Sequence, residues 1–439
     1  MLDEAQREWL ARHVCTPVQT PPQRLARLAI GMPVAALAGL LIATAGRYGS
    51  HRDELYFRSL PPASGYVDQP PFVPWLVRAF ASLSDELWVL RLPAVLLACT
   101  AIVVVALITA EVGGTARAQA LAAWGAGFGI FPVVFGHVLL TATVDLVVWP
   151  LVGLFVIRAV RRDERWLLAA GVAIGLSTFN KLLIALLVIA VLAGIAIAGP
   201  RRLFRSKSLW LAAGIAAVLV IPAIMYQVNN GWPQLAMGDA LARENAADAR
   251  AMLLPFLALL LGPPLTVIWA VGIGWPWRAA RARYLRFLAP ALIVLLAECF
   301  YSPGQVYYPL GLITIAYAVG CVPVAEWMST HARRIGVGLA VAVNALAAIA
   351  FGLPVIPESI VGETPIPGLN QAVADQIGWP DYVEQIATAY ATLDPATSAI
   401  ITDNYGEYGA IKVYGADLDL PRVYSGHNHL ALLGPPPER

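Results

Sequence analysis

Charge is scarce in this sequence. Only 13% of its 439 residues are Asp, Glu, Lys or Arg, where soluble globular chains carry roughly 25%. That deficit excludes a water-soluble protein of this length. Cysteine is scarce too. Cys15, Cys99, Cys299 and Cys321 stand apart, with no metal-ligand spacing and no disulfide framework, and read as small apolar packing residues. Net charge is only +2, and no basic patch with interleaved aromatics occurs, which argues against nucleic acid as a partner. The apolar runs lack strict alternation, which argues against an outer-membrane barrel. Before the first of them come Asp3, Glu4, Arg7, Glu8, Arg12 and a Pro-rich stretch. A cleaved signal peptide begins basic and ends in small residues, so this segment does not read as one.

What is abundant is apolar: 59% of the chain, in Ala/Leu-rich runs such as Ile102–Ala110 and Leu182–Ala198. A bilayer core needs roughly 20 apolar residues per helix. Lipid offers backbone amides no partner, so these runs must be helices. The sequence predicts about eleven spans, near 28–46, 88–110, 119–135, 138–158, 167–180, 182–199, 209–226, 253–275, 287–301, 306–324 and 335–354. Basic residues recur at every second loop: Arg24 and Arg27; Arg117; Arg158, Arg161, Arg162 and Arg165; Arg201, Arg202, Arg205 and Lys207; Arg278, Arg281, Arg283 and Arg286; Arg333 and Arg334. The positive-inside rule then places the N-terminus in the cytoplasm, and an odd number of spans places the tail outside.

The expected fold class is an all-α polytopic membrane protein with a small α/β extracytoplasmic C-terminal domain. Its expected parts are a cytoplasmic segment 1–27, a transmembrane domain 28–354 and an extracytoplasmic domain 355–439. The tail predicts a helix over 381–393 and a strand over 397–402. The other long outer segments are 47–87 and 227–252. No internal repeat is visible, which weakens a transporter of inverted repeats.

The first outer segment holds the densest chemistry. Asp53 and Glu54 stand side by side among His51, Arg52 and Arg58, directly after a span. Such acids either favour a helix N-terminus, or one of them takes a proton from a hydroxyl while its neighbour orients a substrate or holds a divalent cation. Further on come Asp68 and Gln69, then apolar residues at helical spacing over 72–83, as in an interfacial helix. Asp145 lies within the fourth span, where an acid is costly and so a site candidate; His137 precedes it by eight residues. The alternative for Asp145 is a carboxylate satisfied by Thr141 or a neighbouring helix. Lys181, after the fifth span, is either a snorkelling anchor or the partner of a lipid phosphate. Arg243 and Arg250 are weaker phosphate candidates. Tyr307 and Tyr308 mark an aromatic belt or flank a head group. Glu407, His427 and Asn428 sit in polar-aromatic turns of the tail that suit carbohydrate contact as well as ordinary loop chemistry.

Taken in order, several segments carry a resemblance. They are Arg52-Asp53-Glu54-Leu55-Tyr56, Gly65-Tyr66-Val67-Asp68-Gln69-Pro70-Pro71, Asp145 before Trp149, Lys181, Tyr307-Tyr308, Asn404-Tyr405-Gly406-Glu407 and Ser425-Gly426-His427-Asn428. On these the chain resembles the lipid-dependent membrane glycosyltransferases of the GT-C fold. More narrowly it is similar to the bacterial branch of the protein mannosyltransferase family, glycosyltransferase family 39, with the lipid A aminoarabinose transferase as a relative. The resemblance implies an inverting glycosyltransferase in the bacterial inner membrane. It would use a polyprenyl-phosphate sugar and an envelope acceptor in an outer-face cavity beneath the first loop. It implies Asp53 as general base, with Glu54 and Asp145 helping to bind acceptor or a cation (Mg²⁺, Mn²⁺ or Ca²⁺), and Lys181 at the donor phosphate. Expected substrate contacts are His51, Arg52, Tyr56, Asp68, Gln69, His137, Arg243, Tyr307, Tyr308, Glu407, His427 and Asn428. Two departures stand out. Gln305 and Val306 occupy the place where many relatives have Lys or Arg, and the large lumenal insert of the eukaryotic enzymes is absent. The competing expectations are a transporter or flippase of envelope precursors, which would use Asp145 and Lys181 as a path, and a non-catalytic envelope scaffold.

Overall fold

Apolar runs of this length have one stable form in lipid, and they adopt it. The structure, a computed structural model, describes residues 21–437, without the side chains of 244 and 245. Cys15 and the charged N-terminal run lie outside the described residues. Among those described, seven helices are long and apolar enough to cross a membrane, and nine spans result if each of two bent pairs counts as one. The chain is therefore a multi-pass membrane protein. In order come α1 (Arg27–Thr44), α2 (Arg52–Ser59), α3 (Phe72–Ala81), α4 (Leu87–Glu111), α5 (Ala116–Gly127), α6 (Ile130–His137), α7 (Thr141–Arg161), α8 (Trp166–Ser177), α9 (Ile184–Ala198), α10 (Lys207–Asn229), α11 (Pro233–Leu259), α12 (Pro263–Arg278), α13 (Leu288–Tyr301), α14 (Leu310–Trp327) and α15 (His331–Gly352).

The predicted spans meet these helices with specific differences. The third is bent by 59° between α5 and α6, and the eighth by 92° between α11 and α12. The second bend has a local cause: Gly262 takes a φ of +112° and Pro263 opens the next helix, a pairing that ends one helix and starts another. The fifth and sixth fall on α8 and α9, of 12 and 15 residues. At 1.5 Å per residue they are roughly 18 and 22 Å long, short of a bilayer core of about 30 Å. The 227–252 segment, expected as an outer loop, is mostly helix α11. Its composition explains this: Pro233 sits at the first helical position and alanine, a strong helix former, recurs through it.

Burial separates lipid-facing from central helices. α10 buries only Ala212 and Gln227 and exposes Trp210, Leu211, Val218, Ile221 and Met225. Large apolar side chains exposed on a span face hydrocarbon. α14 is the opposite case, with Leu312, Ile313, Tyr317 and Val319 inaccessible. At one end of the bundle, Glu111 faces Arg158, Arg161 and Arg162 at 3.3, 3.5 and 2.6 Å. α4 has 25 residues, roughly 37 Å, so this arginine cluster and the 47–86 segment lie at opposite ends.

The tail carries two predicted elements. A helix, α16, spans Trp379–Tyr390, and a strand, β1, spans Ile400–Thr402. β1 pairs in parallel with β2 (Val423–Ser425), Ile400 opposite Val423, and helix α17 (Tyr405–Tyr414) crosses between them. The tail does not bury a core of its own. Val383, Tyr408, Ile411, Val423 and Leu430 share one apolar cluster with Leu55, Tyr56, Tyr66 and Val73 of the first loop.

α12 and α14 pack with almost no space between their backbones. A Cβ on Gly272 would meet the carbonyl oxygen of Ala316, and one on Gly320 that of Ile268, each at 1.9 Å. Small residues allow this approach in membranes. Gly320→Val and Gly272→Val should each abolish the monodisperse peak of the detergent-solubilised protein in size-exclusion chromatography. Gly274→Val, where a Cβ meets nothing within 4 Å, should leave it intact.

Candidate functional site

The site begins with a helix start. His51 caps α2: its Nδ1 accepts from the Asp53 N–H at 3.1 Å, and its own N–H donates to Glu54 Oε2 at 2.8 Å. This is a capping box, with histidine in the usual Ser/Thr place. Glu54 is 2% exposed and Arg91, on α4, is inaccessible. Arg91 donates to both Glu54 oxygens at 3.1 and 2.9 Å. It also donates to the Ala45 and Gly49 carbonyls, to His137 Nε2 and to Gln376 Oε1, at 2.7, 3.0, 3.1 and 3.0 Å. The Leu139 N–H completes the Glu54 shell at 3.0 Å. Burial alone would raise the Glu54 carboxyl. The Arg91 charge and its hydrogen bonds, with the N–H groups of Leu139 and His51, hold it below the usual carboxylate range.

Asp53 is placed differently. One oxygen, Oδ1, accepts from the Tyr405 hydroxyl at 2.7 Å, and the side chain is only partly buried. The Tyr405 oxygen accepts in turn from Arg52 Nε at 3.0 Å. Arg52 and His51 face Asp375 at 3.8 and 3.7 Å. One helical turn on, Tyr56 donates to Asp68 Oδ1 at 2.7 Å and accepts from the His429 N–H at 3.3 Å. Burial pushes the Asp68 carboxyl up to about 6, the Tyr56 hydrogen bond opposing and Asp53 adding to the rise. Gln69 is buried beside it, its side-chain nitrogen without a protein partner.

A small pocket opens at the same end of the bundle, lined by Asp145, Trp149, Leu183, Tyr307, Tyr308 and Gly311 among others. Asp145 lies in the second turn of α7. It accepts from Asn180 at 3.2 Å and faces Lys181 at 3.9 Å. The Lys181 ammonium stands 5.7 and 5.9 Å from the centres of the Tyr307 and Tyr308 rings, within cation–π range. Gly311 has no Cβ because Trp149 fills that space.

Other expected contacts lie elsewhere. His137 ends α6, buried against Arg91. Arg243 is exposed on α11 and donates to the Asp239 carbonyl. Arg250 donates to the Phe300 carbonyl and lies 5.6 Å from that ring. Glu407 closes the cap of α17, accepting from the Asp403 N–H and Asn404. His427 Nδ1 accepts from the Tyr405 N–H at 3.3 Å. Asn428 takes a φ of +51° at the turn after β2. Among the described residues no three His, Cys, Asp or Glu side chains gather to hold a metal. The Glu54 oxygens are taken by Arg91, His51 and Leu139, and Asp145 faces Lys181 and Asn180, so these two acids are not arranged as ligands of one ion.

Sequence reading missed Arg91, Asp375, Gln376, Asn180 and the bond from Tyr405 to Asp53. Arg91 had a signal: it is the one charge between Trp88 and Ala110, and a charge inside a span is costly unless paired.

Removing one partner of a buried ion pair costs about 3–5 kcal/mol. Arg91→Met and Glu54→Ala should each lower the thermal midpoint of the solubilised protein sharply, and the Arg91→Met/Glu54→Leu double variant should recover part of the loss. Asp68 gives a pH test. Its folded value, about 6, lies above the ordinary 3.8, so the folded state holds this proton more tightly than the unfolded chain. Stability from this group is full below pH about 4 and is lost as pH rises through about 6. Asp68→Asn should therefore gain midpoint relative to wild type on going from pH about 4.5 to about 7, read by differential scanning fluorimetry.

Residues 68–226 match the family model of dolichyl-phosphate-mannose-protein mannosyltransferase. Among solved structures, ArnT from Cupriavidus metallidurans bound to undecaprenyl phosphate is similar with a TM-score of 0.59 at 17% identity, over 88% of this chain and 85% of that one. The apo state of the same protein gives 0.56 at 15% identity, over 92% and 86%. No curated protein matches by sequence. At such identities the likeness is one of fold. The chain is thus a membrane protein with the GT-C fold that ArnT shares, and its residues 68–226 match the mannosyltransferase family model.

Proposed function

We propose that the chain is an inverting membrane glycosyltransferase that moves a sugar from a polyprenyl-phosphate donor to an envelope lipid, glycan or protein acceptor on the outer face of a bacterial inner membrane. The observation that carries this reading is the pocket wall, where Lys181 stands 3.9 Å from Asp145 and 5.7 Å from the centre of the Tyr307 ring, at the end of the bundle where the Leu139 N–H, just before α7, ties in Glu54 beside Asp53. A base candidate, a cation and an apolar-walled pocket therefore meet at one end of the bundle. The family model and the ArnT fold support lipid-linked sugar chemistry. The opposite end carries Arg158, Arg161 and Arg162, which supports a cytoplasmic placement for that end by the positive-inside rule.

In this reading the acceptor oxygen attacks the anomeric carbon from the face opposite the phosphate. The new C–O bond forms as the bond to the lipid phosphate breaks, and the phosphate leaves with the electron pair. Asp53 takes the hydroxyl proton, a contribution of about 10²–10⁴-fold. Asp53 suits this better than Glu54, whose oxygens are already filled by Arg91, His51 and Leu139. Glu54 then acts as a positioning residue for α2. Lys181 stabilises the leaving phosphate, an effect strong in a water-poor site, and donor binding would compete with Asp145 for its charge. Tyr307, Tyr308 and Trp149 supply the wall along which a prenyl phosphate lies. A divalent cation remains part of the proposal only as an optional phosphate partner, with no step assigned to it.

Envelope glycans and glycolipids from cells lacking the protein should miss a product that wild type restores and Asp53→Asn does not, by mass spectrometry. Asp53→Asn should still bind undecaprenyl phosphate, and Lys181→Ala should bind it at least about tenfold more weakly, the worth of one charge-assisted contact. Wild-type product from Asp53→Asn removes Asp53 from the chemistry.

A further inference from the structure

We propose that Tyr405, carried by the C-terminal tail, is a positioning residue for Asp53: its hydroxyl holds Oδ1 and so turns Oδ2 toward the acceptor. The inference rests on Asp53 as the base and adds the device that aims it. Tyr405 reaches Asp53 from 352 residues away in sequence, at 2.7 Å. Among the described residues no hydrogen-bond donor reaches Oδ2, and that oxygen is not sealed from solvent. Glu54, one residue on, has neither oxygen open.

The tail is built to bring this hydroxyl in. Asn404 caps α17, its Oδ1 accepting from the N–H groups of Gly406 and Glu407 at 2.9 and 3.1 Å. Tyr405 is therefore the first residue of a fixed helix. Its ring packs 4.8 Å from Tyr56 and 5.0 Å from His427, with the Arg52 guanidinium 4.7 Å from its centre. Two glycines set the approach. A Cβ on Gly406 would lie 2.9 Å from Arg52 Cβ, and one on Gly409 2.6 Å from the Leu55 carbonyl carbon. Larger residues at either place would push α17 off α2 and carry the hydroxyl out of reach. The Tyr405-Gly406-Glu407-Tyr408-Gly409 run thus reads as a docking face with a phenol at its tip. A neutral donor can steer a carboxylate without neutralising it, and Arg52 behind the phenol polarises that donor at 3.0 Å.

The test uses the full-length protein in detergent and in liposomes. The Asp53 carboxylate stretch is assigned from the infrared difference between wild type and Asp53→Asn. Tyr405→Phe keeps the ring and removes only the hydroxyl. It should shift that band, and it should lower the rate of transfer from membrane-extracted polyprenyl-phosphate sugars about tenfold or more, the usual worth of a hydrogen bond to a charged group. Undecaprenyl-phosphate affinity should stay as in wild type. Gly409→Ala, which leaves the hydroxyl but backs the helix off Leu55, should shift the same band. An unshifted band in both variants overturns the inference, as does a wild-type transfer rate in Tyr405→Phe. A lowered rate accompanied by an equal loss of undecaprenyl-phosphate binding also overturns it, since that pattern marks general disorder of the site. Full transfer by Asp53→Asn would instead remove the base reading itself, whatever the band does.

Discussion

One buried ion pair holds the first-loop end of this protein together. Arg91 and Glu54 lie beneath the first loop with almost no solvent, where an unmatched charge would cost several kcal/mol. Each is matched. Arg91 spends its donors on the end of the first span, the loop that follows, His137 and the tail. Glu54 binds back to the cap of α2 and across to Leu139. Four separate stretches of chain are thereby fixed to one guanidinium. The direction of α2, and with it the position of Asp53, depends on this.

The adjacent acids divide their work because their surroundings differ. Glu54 points inward to a cation and is filled. Asp53, at the preceding position of the same helix, points about 100° away and meets a neutral phenol with one oxygen still open. A single residue step on a helix thus separates an acid whose oxygens are filled from one with an oxygen open. Asp145 and Lys181 repeat the pairing at the pocket wall, at a looser 3.9 Å, a distance that leaves the ammonium available to an anion of higher charge.

The tail enters the site through packing. Its apolar residues have too little partner surface among themselves and complete their burial against Leu55, Tyr56, Tyr66 and Val73. Two three-residue strands cannot supply a core, and a two-stranded sheet is marginal alone. The docking that satisfies this need also delivers Tyr405, His427 and His429 to the loop.

The apolar runs alone determined a polytopic helical bundle, because lipid leaves the backbone no other way to satisfy its amides. They also placed most spans and the helix α3, and singled out Asp53 and Asp145 as candidates, since charge in or beside hydrocarbon is conspicuous. Run length and charge could not show the bends at Gly129 and Gly262, because hydropathy averages over them. Nor could they tell Glu54 from Asp53: the difference lies in what packs on each face of α2, and Arg91, Gln376 and Tyr405 arrive there from 37, 322 and 352 residues away. Local sequence sets periodicity and burial preference, and these are short-range properties. Which side chains share one buried volume is decided only when distant segments compete to cover the same surface.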